Sequence, residues 1–315
     1  MSANGKLCIV AAYHELGYVG LDTILRHGWE VALVYTHRDD PNEKAWWKSV
    51  AALAEERGIP VEYSDMNDPG QAERIQSLDP DYLFSIYYRK LIHKNILGLF
   101  PQGAYNLHGS LLPLYRGRAP LNWVLVNGEI ETGVTLHHMT EEADAGDIVD
   151  QEWVPIEDDE SAMSLYTKLM EATVNTFDRC LSWFDRGKAP RMPQDLTRGS
   201  YYGARKPEDG RIDFSWNARK CFNLVRAVSK PWPGAFAQAG QQKYMIWWAK
   251  PMTNIKSGRK AAPGTVLIED GIPVVACGEG FLQLDKVEAP GFPEMDAADA
   301  AKKGAIPEGM KFFAS

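Results

Sequence analysis

The sequence predicts a two-domain α/β protein, in which a mostly parallel sheet covered by helices is followed by a small β-barrel. Three observations support this prediction. Apolar strands alternate with helical stretches in the first half, a segment rich in Pro, Gly and charge follows, and short strands separated by turn residues come last. A chain of 315 residues is long enough to bury a core in each of two domains.

The first half contains the elements of a parallel sheet. The strand-like runs are KLCIVAA (6–12), EVALVYTH (30–37), VEYSD (61–65), DYLFSIYY (81–88) and GAYNLHG (103–109). Helical spacing of apolar residues lies between them, most clearly over 42–58, and a hairpin (133–139 and 146–156) and a long helix (160–186) follow. Near-continuous apolar strands indicate a sheet covered on both faces, which binds its ligands beyond the carboxyl ends of the strands.

The composition then changes. We expect a first domain over 1–190, a linker over 191–212, and a second domain over 213–315 that contains a helix (217–229) and several short strands. The last residues, 291–315, are rich in Ala, Gly and Pro and are expected to form a loosely ordered tail.

Composition limits the possible functions. The net charge is −8, which argues against nucleic acid as a partner, and no apolar run reaches the length of a membrane span. The four cysteines are widely spaced, without a C-x-x-C pair, and are expected to be buried thiols of a cytoplasmic protein with no metal site. The oligomeric state stays open, with a homodimer among the possibilities.

Two common binding motifs are excluded by their details. Gly17 and Gly20 follow the first strand, but the full G-x-G-x-x-G pattern is missing, which favours close helix packing over dinucleotide binding. His137 and His138 are neighbours on a predicted strand. Their side chains therefore point to opposite faces and cannot bind one metal, and we expect one of them to pack inward and the other to face solvent.

Asn106 and His108 are two residues apart on a strand, so their side chains lie on one face near its carboxyl end. An amide donor and an imidazole together can polarise a carbonyl and move a proton. The alternative is structural: a turn-capping Asn and a half-buried His with satisfied hydrogen bonds.

Charged residues nearby strengthen the chemical interpretation. Asp144 and Asp147 lie in a Gly-containing loop before a strand, where an Asp could orient His108 and favour its protonated form. No Ser or Cys stands in a nucleophile elbow, which indicates direct attack by a substrate amine. Arg116 and Arg118 flank a glycine before a helix and could bind an anion, or form structural ion pairs.

These motifs together resemble a known family. NLHGSLLP (106–113), Arg116-Gly117 and DAGD (144–147), in this order, are similar to the formyltransferases that use 10-formyltetrahydrofolate, and RAVSKPWPGAF (226–236) is similar to a segment of their second domain. The resemblance covers nearly all of residues 5–290. It implies a Rossmann-like formyltransferase domain, an OB-like C-terminal barrel, and Asn106, His108 and Asp144 as the catalytic trio.

Within that family the chain is most similar to the members that formylate UDP-4-amino-4-deoxy-L-arabinose for lipid A modification and antibiotic resistance. The similar segments include AYHELGYVG (12–20) and SIYYRKLI (85–92). By that resemblance 10-formyltetrahydrofolate is the co-substrate, and its site is formed by Lys90, Leu91, Ile92, Arg118, Thr140, Glu141, Glu142, Ala143 and Asp144.

We therefore expect formyl transfer to the amine of a nucleotide-linked amino sugar. Asn106 would stabilise the oxyanion, His108 would handle protons, and Asp144 would orient His108. The main alternative is methionyl-tRNA formyltransferase, against which stand the first βα loop and the low charge. Glycinamide ribonucleotide formyltransferase lacks a second domain of this kind, and the intact trio argues against a catalytically idle binding module.

Overall fold

The computed structural model describes residues 6–39 and 45–313. The chain divides into two compact units, which do not follow the sequence as two simple blocks. The first consists of Met1–Pro120, Glu131–Pro155 and Tyr166–Gly203, and the second of Leu121–Ile130, Ile156–Leu165 and Ala204–Ser315.

The first unit is built on a mostly parallel sheet of seven strands. Its strands, with a separate two-stranded pair, are β1 (Leu7–Ala12), β2 (Glu30–Tyr35), β3 (Val61–Glu62), β4 (Tyr82–Ile86), β5 (Gly103–His108), β6 (Arg116–Gly117), β7 (Glu131–His138), β8 (Ile148–Pro155) and β9 (Tyr201–Tyr202). The large sheet has the order β3-β2-β1-β4-β5-β7-β8, and β6 pairs with β9. The first five strands are parallel, whereas β7 and β8 form the predicted antiparallel hairpin at one edge. The expected α/β class is confirmed.

Helices alternate with these strands. They are α1 (His14–Arg26), α2 (Val50–Glu56), α3 (Gln71–Leu78), α4 (Lys94–Leu97), α5 (Pro120–Asn127) and α6 (Ala162–Phe184), the last two of which cross a unit boundary. The helix expected over 42–58 begins later because the Ser49 hydroxyl accepts a hydrogen bond from the Ala52 N–H and caps it there. Residues 42–44 lie outside the described ranges.

The sheet is buried on both faces, as its apolar strands predict. All but the first residue of β1 and every residue of β4 are buried. Gly20 of α1 faces this layer: a Cβ on it would lie 2.5 Å from the Ile86 Cδ1 atom. The glycine therefore serves close packing of a helix on a strand, which agrees with the interpretation preferred over dinucleotide binding.

The second unit contains an antiparallel sheet of six strands. Its elements are α7 (Ala218–Val228), β10 (Ala235–Ala239), β11 (Gln242–Met252), β12 (Val266–Glu269), β13 (Ile272–Ala276), β14 (Phe281–Glu288), β15 (Met295–Asp296) and α8 (Ala297–Lys302). The main path is β10-β11-β14-β13-β12, and β15 pairs with β14. The expected C-terminal β domain with one helix before it is confirmed.

Two segments differ from their expected roles. Residues 191–203, expected as the first part of the linker, belong to the first unit, where β9 pairs with β6. Residues 291–313, expected as a loose tail, include β15 and α8, and the Ile306 and Phe312 side chains are buried. Composition misled in both cases because a few pairing or buried residues fix a segment that is otherwise polar or small.

Three further expectations concern the cysteines, metal binding and membrane-spanning helices. All four cysteines are free and buried, as expected. Within 6–39 and 45–313, no helix is both long and apolar enough to cross a membrane. The same ranges contain no cluster of three or more His, Cys, Asp or Glu side chains arranged to hold a metal ion.

Candidate active site

Asn106 and His108 lie at the carboxyl end of β5, as their spacing predicts. Asn106 is partly buried, and His108 is 7% exposed. In the antiparallel register of β5 and β7, Asn106 lies directly opposite His137. Cross-strand partners share a face of the sheet, so the Asn106 Nδ2 and His137 Nε2 atoms come within 3.1 Å.

The His108 ring is held on both of its nitrogens. Its Nε2 lies 2.8 Å from the Tyr115 carbonyl oxygen, and its Nδ1 lies 3.5 Å from Asp144 Oδ1. A carbonyl can only accept a hydrogen bond, so Nε2 carries a hydrogen. Nδ1, which faces the Asp144 carboxylate, is therefore the nitrogen that can exchange a proton.

Asp144 is fixed at the end of the neighbouring loop. Its Oδ2 accepts a hydrogen bond of 2.8 Å from the Gly117 N–H, while its Oδ1 faces His108 and, at 3.7 Å, His137 Nε2. Burial raises the pKa of the Asp144 carboxyl. The positive charge of a protonated His108 and the hydrogen bond from the Gly117 N–H outweigh burial and hold that pKa well below its usual range. Asp144 is therefore a carboxylate throughout the neutral pH range.

His137 is the member of this cluster that the sequence did not reveal. Its Nδ1 lies 2.9 Å from the His138 carbonyl oxygen, so Nδ1 carries the hydrogen and Nε2 can accept one from the Asn106 amide. Neither His137 nor His138 faces solvent, since their exposed fractions are 2% and 4%. The expectation of one solvent-facing histidine was wrong, because β7 is covered on both faces. His137 reaches the cluster because β7 pairs with β5, and a single sequence does not reveal that pairing.

The DAGD motif has a steric basis. A Cβ atom on Gly146 would lie 1.9 Å from the His138 carbonyl oxygen, so the loop passes the end of β7 too closely for any side chain there. Asp144 itself has a left-handed backbone, with φ of 56°. Such a conformation is uncommon for a residue with a side chain and persists where surrounding contacts hold it.

The NLHGSLLP loop is tied to the hairpin by one threonine. Thr135 Oγ1 donates to the Ser110 carbonyl and accepts a hydrogen bond from the Leu112 N–H. Gln151 Nε2 donates to that hydroxyl and to the Leu112 carbonyl. These bonds fix the backbone that follows His108.

The two arginines have different environments. Arg116 is 13% exposed on its side chain, its guanidinium lies 3.3 Å from Glu142 Oε1, and its Nε is buried with no hydrogen-bond partner among the described residues. Arg118 is exposed, and its backbone N–H donates to the Tyr202 carbonyl. Arg116 therefore approaches the loop that carries Asp144.

The residues expected at a folate site fall into two segments. In the first, Lys90 is exposed and its Nζ lies 3.6 Å from Asp65 Oδ2, whereas Leu91 is 53% exposed. Ile92 is 1% exposed and packs in the core, so it can offer a ligand only its backbone.

The second segment is the loop 140–144. Glu141 pairs with Lys94 at 3.2 Å, and Thr140 Oγ1 donates to the Glu142 carbonyl. Ala143, which precedes Asp144 in the sequence, is partly buried. Since Lys94 follows the first segment closely, the Lys94–Glu141 pair brings the two segments together.

A cavity of about 290 Å³ borders this loop. Its lining contains Ala104, Met139, Thr140 and Arg191. Asn106, His108 and Asp144 are not among its lining residues, so the cavity lies beside their cluster and does not contain it.

Two regions of the chain match known protein families. Residues 11–181 match the family described as "Formyl transferase", and residues 205–304 match "Formyl transferase, C-terminal domain". The chain belongs to the formyltransferase family. The enzyme class expected from the motifs is therefore confirmed.

Solved structures with the same fold include several formyltransferases. An N-formyltransferase from Helicobacter canadensis, crystallised with folinic acid and dTDP-3-aminofucose, is 20% identical with a TM-score of 0.70, over 92% of this chain and 99% of that one. The sugar 3-N-formyltransferase WlaRD is 19% identical with a TM-score of 0.68, over 90% and 97%. A 4-N-formyltransferase from Francisella tularensis is 21% identical with a TM-score of 0.60, over 74% and 93%. At these identities the likeness shows that this formyltransferase shares their fold.

Proposed function

We propose that this formyltransferase moves the formyl group of 10-formyltetrahydrofolate to the amine of a nucleotide-linked amino sugar, and that the acceptor is UDP-4-amino-4-deoxy-L-arabinose. The observation that carries the proposal is the single cluster formed by Asn106, His108 and Asp144 at the carboxyl end of β5. Similar structures crystallised with folate compounds, dTDP or a dTDP-linked amino sugar support the two substrate classes.

The reaction forms one C–N bond and breaks another. The amine nitrogen attacks the formyl carbon, and an N–H of the Asn106 amide donates to the oxygen as it becomes negative. His108 takes a proton from the attacking amine and returns one to N10 of the folate, which leaves as the secondary amine of tetrahydrofolate. The amine of the acceptor thus becomes a formamide, and N10 of tetrahydrofolate receives a proton in place of the formyl group.

Asp144 has a supporting role in this scheme. It stays ionised because of the low pKa described above, so it stabilises the positive charge that His108 gains when it takes a proton. We propose that the folate is held by Lys90, Leu91, Ile92, Arg118 and the loop 140–144. The ion pair between Lys94 and Glu141, which links the two segments, supports this proposal.

The choice of acceptor is tested by comparing two substrates. A tRNA-formylating enzyme must bind a polyanion, whereas this chain has a net charge of −8. We expect the purified enzyme to formylate UDP-4-amino-4-deoxy-L-arabinose and to leave initiator methionyl-tRNA unmodified, with 10-formyltetrahydrofolate in about 0.15 M salt. A dTDP-linked 3-amino sugar assayed in parallel tests whether the nucleotide and amine position matter. Transfer to methionyl-tRNA alone would overturn the proposed acceptor class.

The role of Asp144 is tested by the pH dependence of the Asp144→Asn variant. Without the carboxylate, the protonated form of His108 loses its stabilising charge, so the ionisation that limits kcat/KM on the acid side moves to lower pH. We also expect kcat to fall at every pH. The acid limb in the unmodified enzyme does not report Asp144 itself, whose lowered pKa keeps it ionised there.

The matched control is Asp147→Asn, which removes the other carboxylate of the same motif. Asp147 pairs with Arg191 at 3.3 Å. We expect this variant to keep the unmodified pH profile. An Asp144→Asn profile that keeps its position would show that the carboxylate does not act on the histidine.

A further inference from the structure

The segment after α6 contacts the backbone around Asp144 through one side chain. Gln194 Nε2 donates to the Asp144 carbonyl at 3.0 Å and to the Gly146 carbonyl at 2.6 Å. These carbonyls lie on either side of Ala145, so a single amide group bridges the turn of the DAGD motif. Both contacts lie within the first unit.

The position of Gln194 is fixed by its own neighbours. Two backbone hydrogen bonds of 2.9 Å join Met192 to Ile148, the first residue of β8. The Pro190 carbonyl lies 3.0 Å from His138 Nε2. The chain on the amino side of Gln194 is thus anchored to the ends of β7 and β8, between which the Asp144 loop runs.

The same segment also reaches the partner of His108. Ser200 Oγ accepts a hydrogen bond of 2.9 Å from the Tyr115 N–H, and the Ser200 carbonyl accepts one of 2.9 Å from the Arg116 N–H. The Tyr115 carbonyl is the acceptor for His108 Nε2. The side chains of Gln194 and Ser200 therefore hold the backbone of Asp144 itself and the backbone of Tyr115, the partner of His108.

We propose that Gln194 and Ser200 are positioning residues for the Asp144–His108 pair, an inference that rests on the proposed function. The left-handed backbone of Asp144 requires contacts that hold it, and Gln194 supplies two of them. Gln194 Oε1 is buried without a hydrogen-bond partner in the described part of the chain. The two donor bonds therefore fix the amide orientation.

The decisive variant is Gln194→Met, which keeps the length of the side chain and removes both donors. A misplacement of about 1 Å in a reacting group can cost about 100-fold in rate. We expect kcat to fall roughly 10- to 100-fold, while KM for 10-formyltetrahydrofolate and for the amino sugar changes less than about threefold. The control Thr197→Ala breaks a contact to Asp195 within the same segment and should leave kcat unchanged.

A double-mutant cycle separates positioning from general damage. If Gln194 acts through Asp144, adding Gln194→Met to Asp144→Asn lowers kcat by less than about threefold further. Independent effects that multiply in the double variant would overturn the proposal. A normal kcat in Asp144→Asn alone would instead remove Asp144 from the reaction, and transfer by the unmodified enzyme to methionyl-tRNA alone would overturn the proposed function, so these failures are distinct.

The Gln194→Glu variant tests the donor role through a pH dependence of kcat that a change in packing alone would not produce. Its carboxylate opposes two carbonyls at neutral pH, but the protonated acid can donate one hydrogen bond. The ratio of kcat in Gln194→Glu to that in Gln194→Met should therefore rise as the pH falls. A constant ratio would contradict the donor role.

For the second residue, Ser200→Ala should lower kcat and Ser200→Thr, which keeps the hydroxyl, should restore it. Equal loss in both variants would remove Ser200 from the proposal.

Discussion

Replacing His108 by alanine is expected to lower kcat by about 10³-fold or more. General acid–base catalysis by a positioned side chain contributes roughly 10²- to 10⁴-fold, and the variant also loses the group that Asp144 stabilises. The hydrogen bond of 2.8 Å between Nε2 and the Tyr115 carbonyl is lost as well. Steady-state turnover with both substrates measures the effect, and the circular dichroism spectrum checks that the variant is folded.

The control for this experiment is a histidine of the first unit that lies outside the cluster. His27 pairs with Asp178 at 2.8 Å on the surface of that unit, and His27→Ala should retain full turnover. Turnover of His108→Ala within about tenfold of the unmodified enzyme would be too fast for a lost acid–base group. In that case His108 would have only the structural role that its two buried contacts also allow.

Much of the fold follows from local sequence signals. The five parallel strands were predicted because most of them are nearly continuous apolar runs, as is typical of buried parallel strands, and β1 and β4 match their predicted positions closely. The tail could not be predicted. Its order depends on partners distant in sequence, since β15 pairs with β14 and Lys311 forms a bridge with Thr265.

The candidate site was predictable to the extent that its geometry is local. Asn106 and His108 share a face because strand side chains alternate, and that relation needs no tertiary information. His137 and Gln194 reach the same place through strand pairing and through a segment that its composition made look like a linker. Neither residue belongs to the sequence motifs that predicted the site. Contacts of this kind become visible only when the register and the path of the chain are known.

The second large effect is expected for Asn106→Ala. Asn106 Nδ2 has two hydrogens, and the His137 Nε2 atom at 3.1 Å accepts one of them. That contact orients the amide and leaves the second hydrogen to donate to the formyl oxygen. Loss of one such donor from an oxyanion site costs roughly 10²- to 10³-fold in kcat. The distant Asn175→Ala, which removes only an exposed contact with Glu152, is the control and should have normal turnover.

The distribution of this loss between kcat and KM tests the assigned role. A donor that acts mainly on the developing oxyanion lowers kcat and kcat/KM equally, with KM for 10-formyltetrahydrofolate nearly unchanged. A raised KM with normal kcat would mean that Asn106 binds the ground-state carbonyl as strongly as the oxyanion. His137→Ala extends the argument, because it keeps both hydrogens of Asn106 but removes the acceptor that orients them. Its kcat should fall between those of Asn106→Ala and the unmodified enzyme, since an unoriented amide donates to the oxyanion only part of the time.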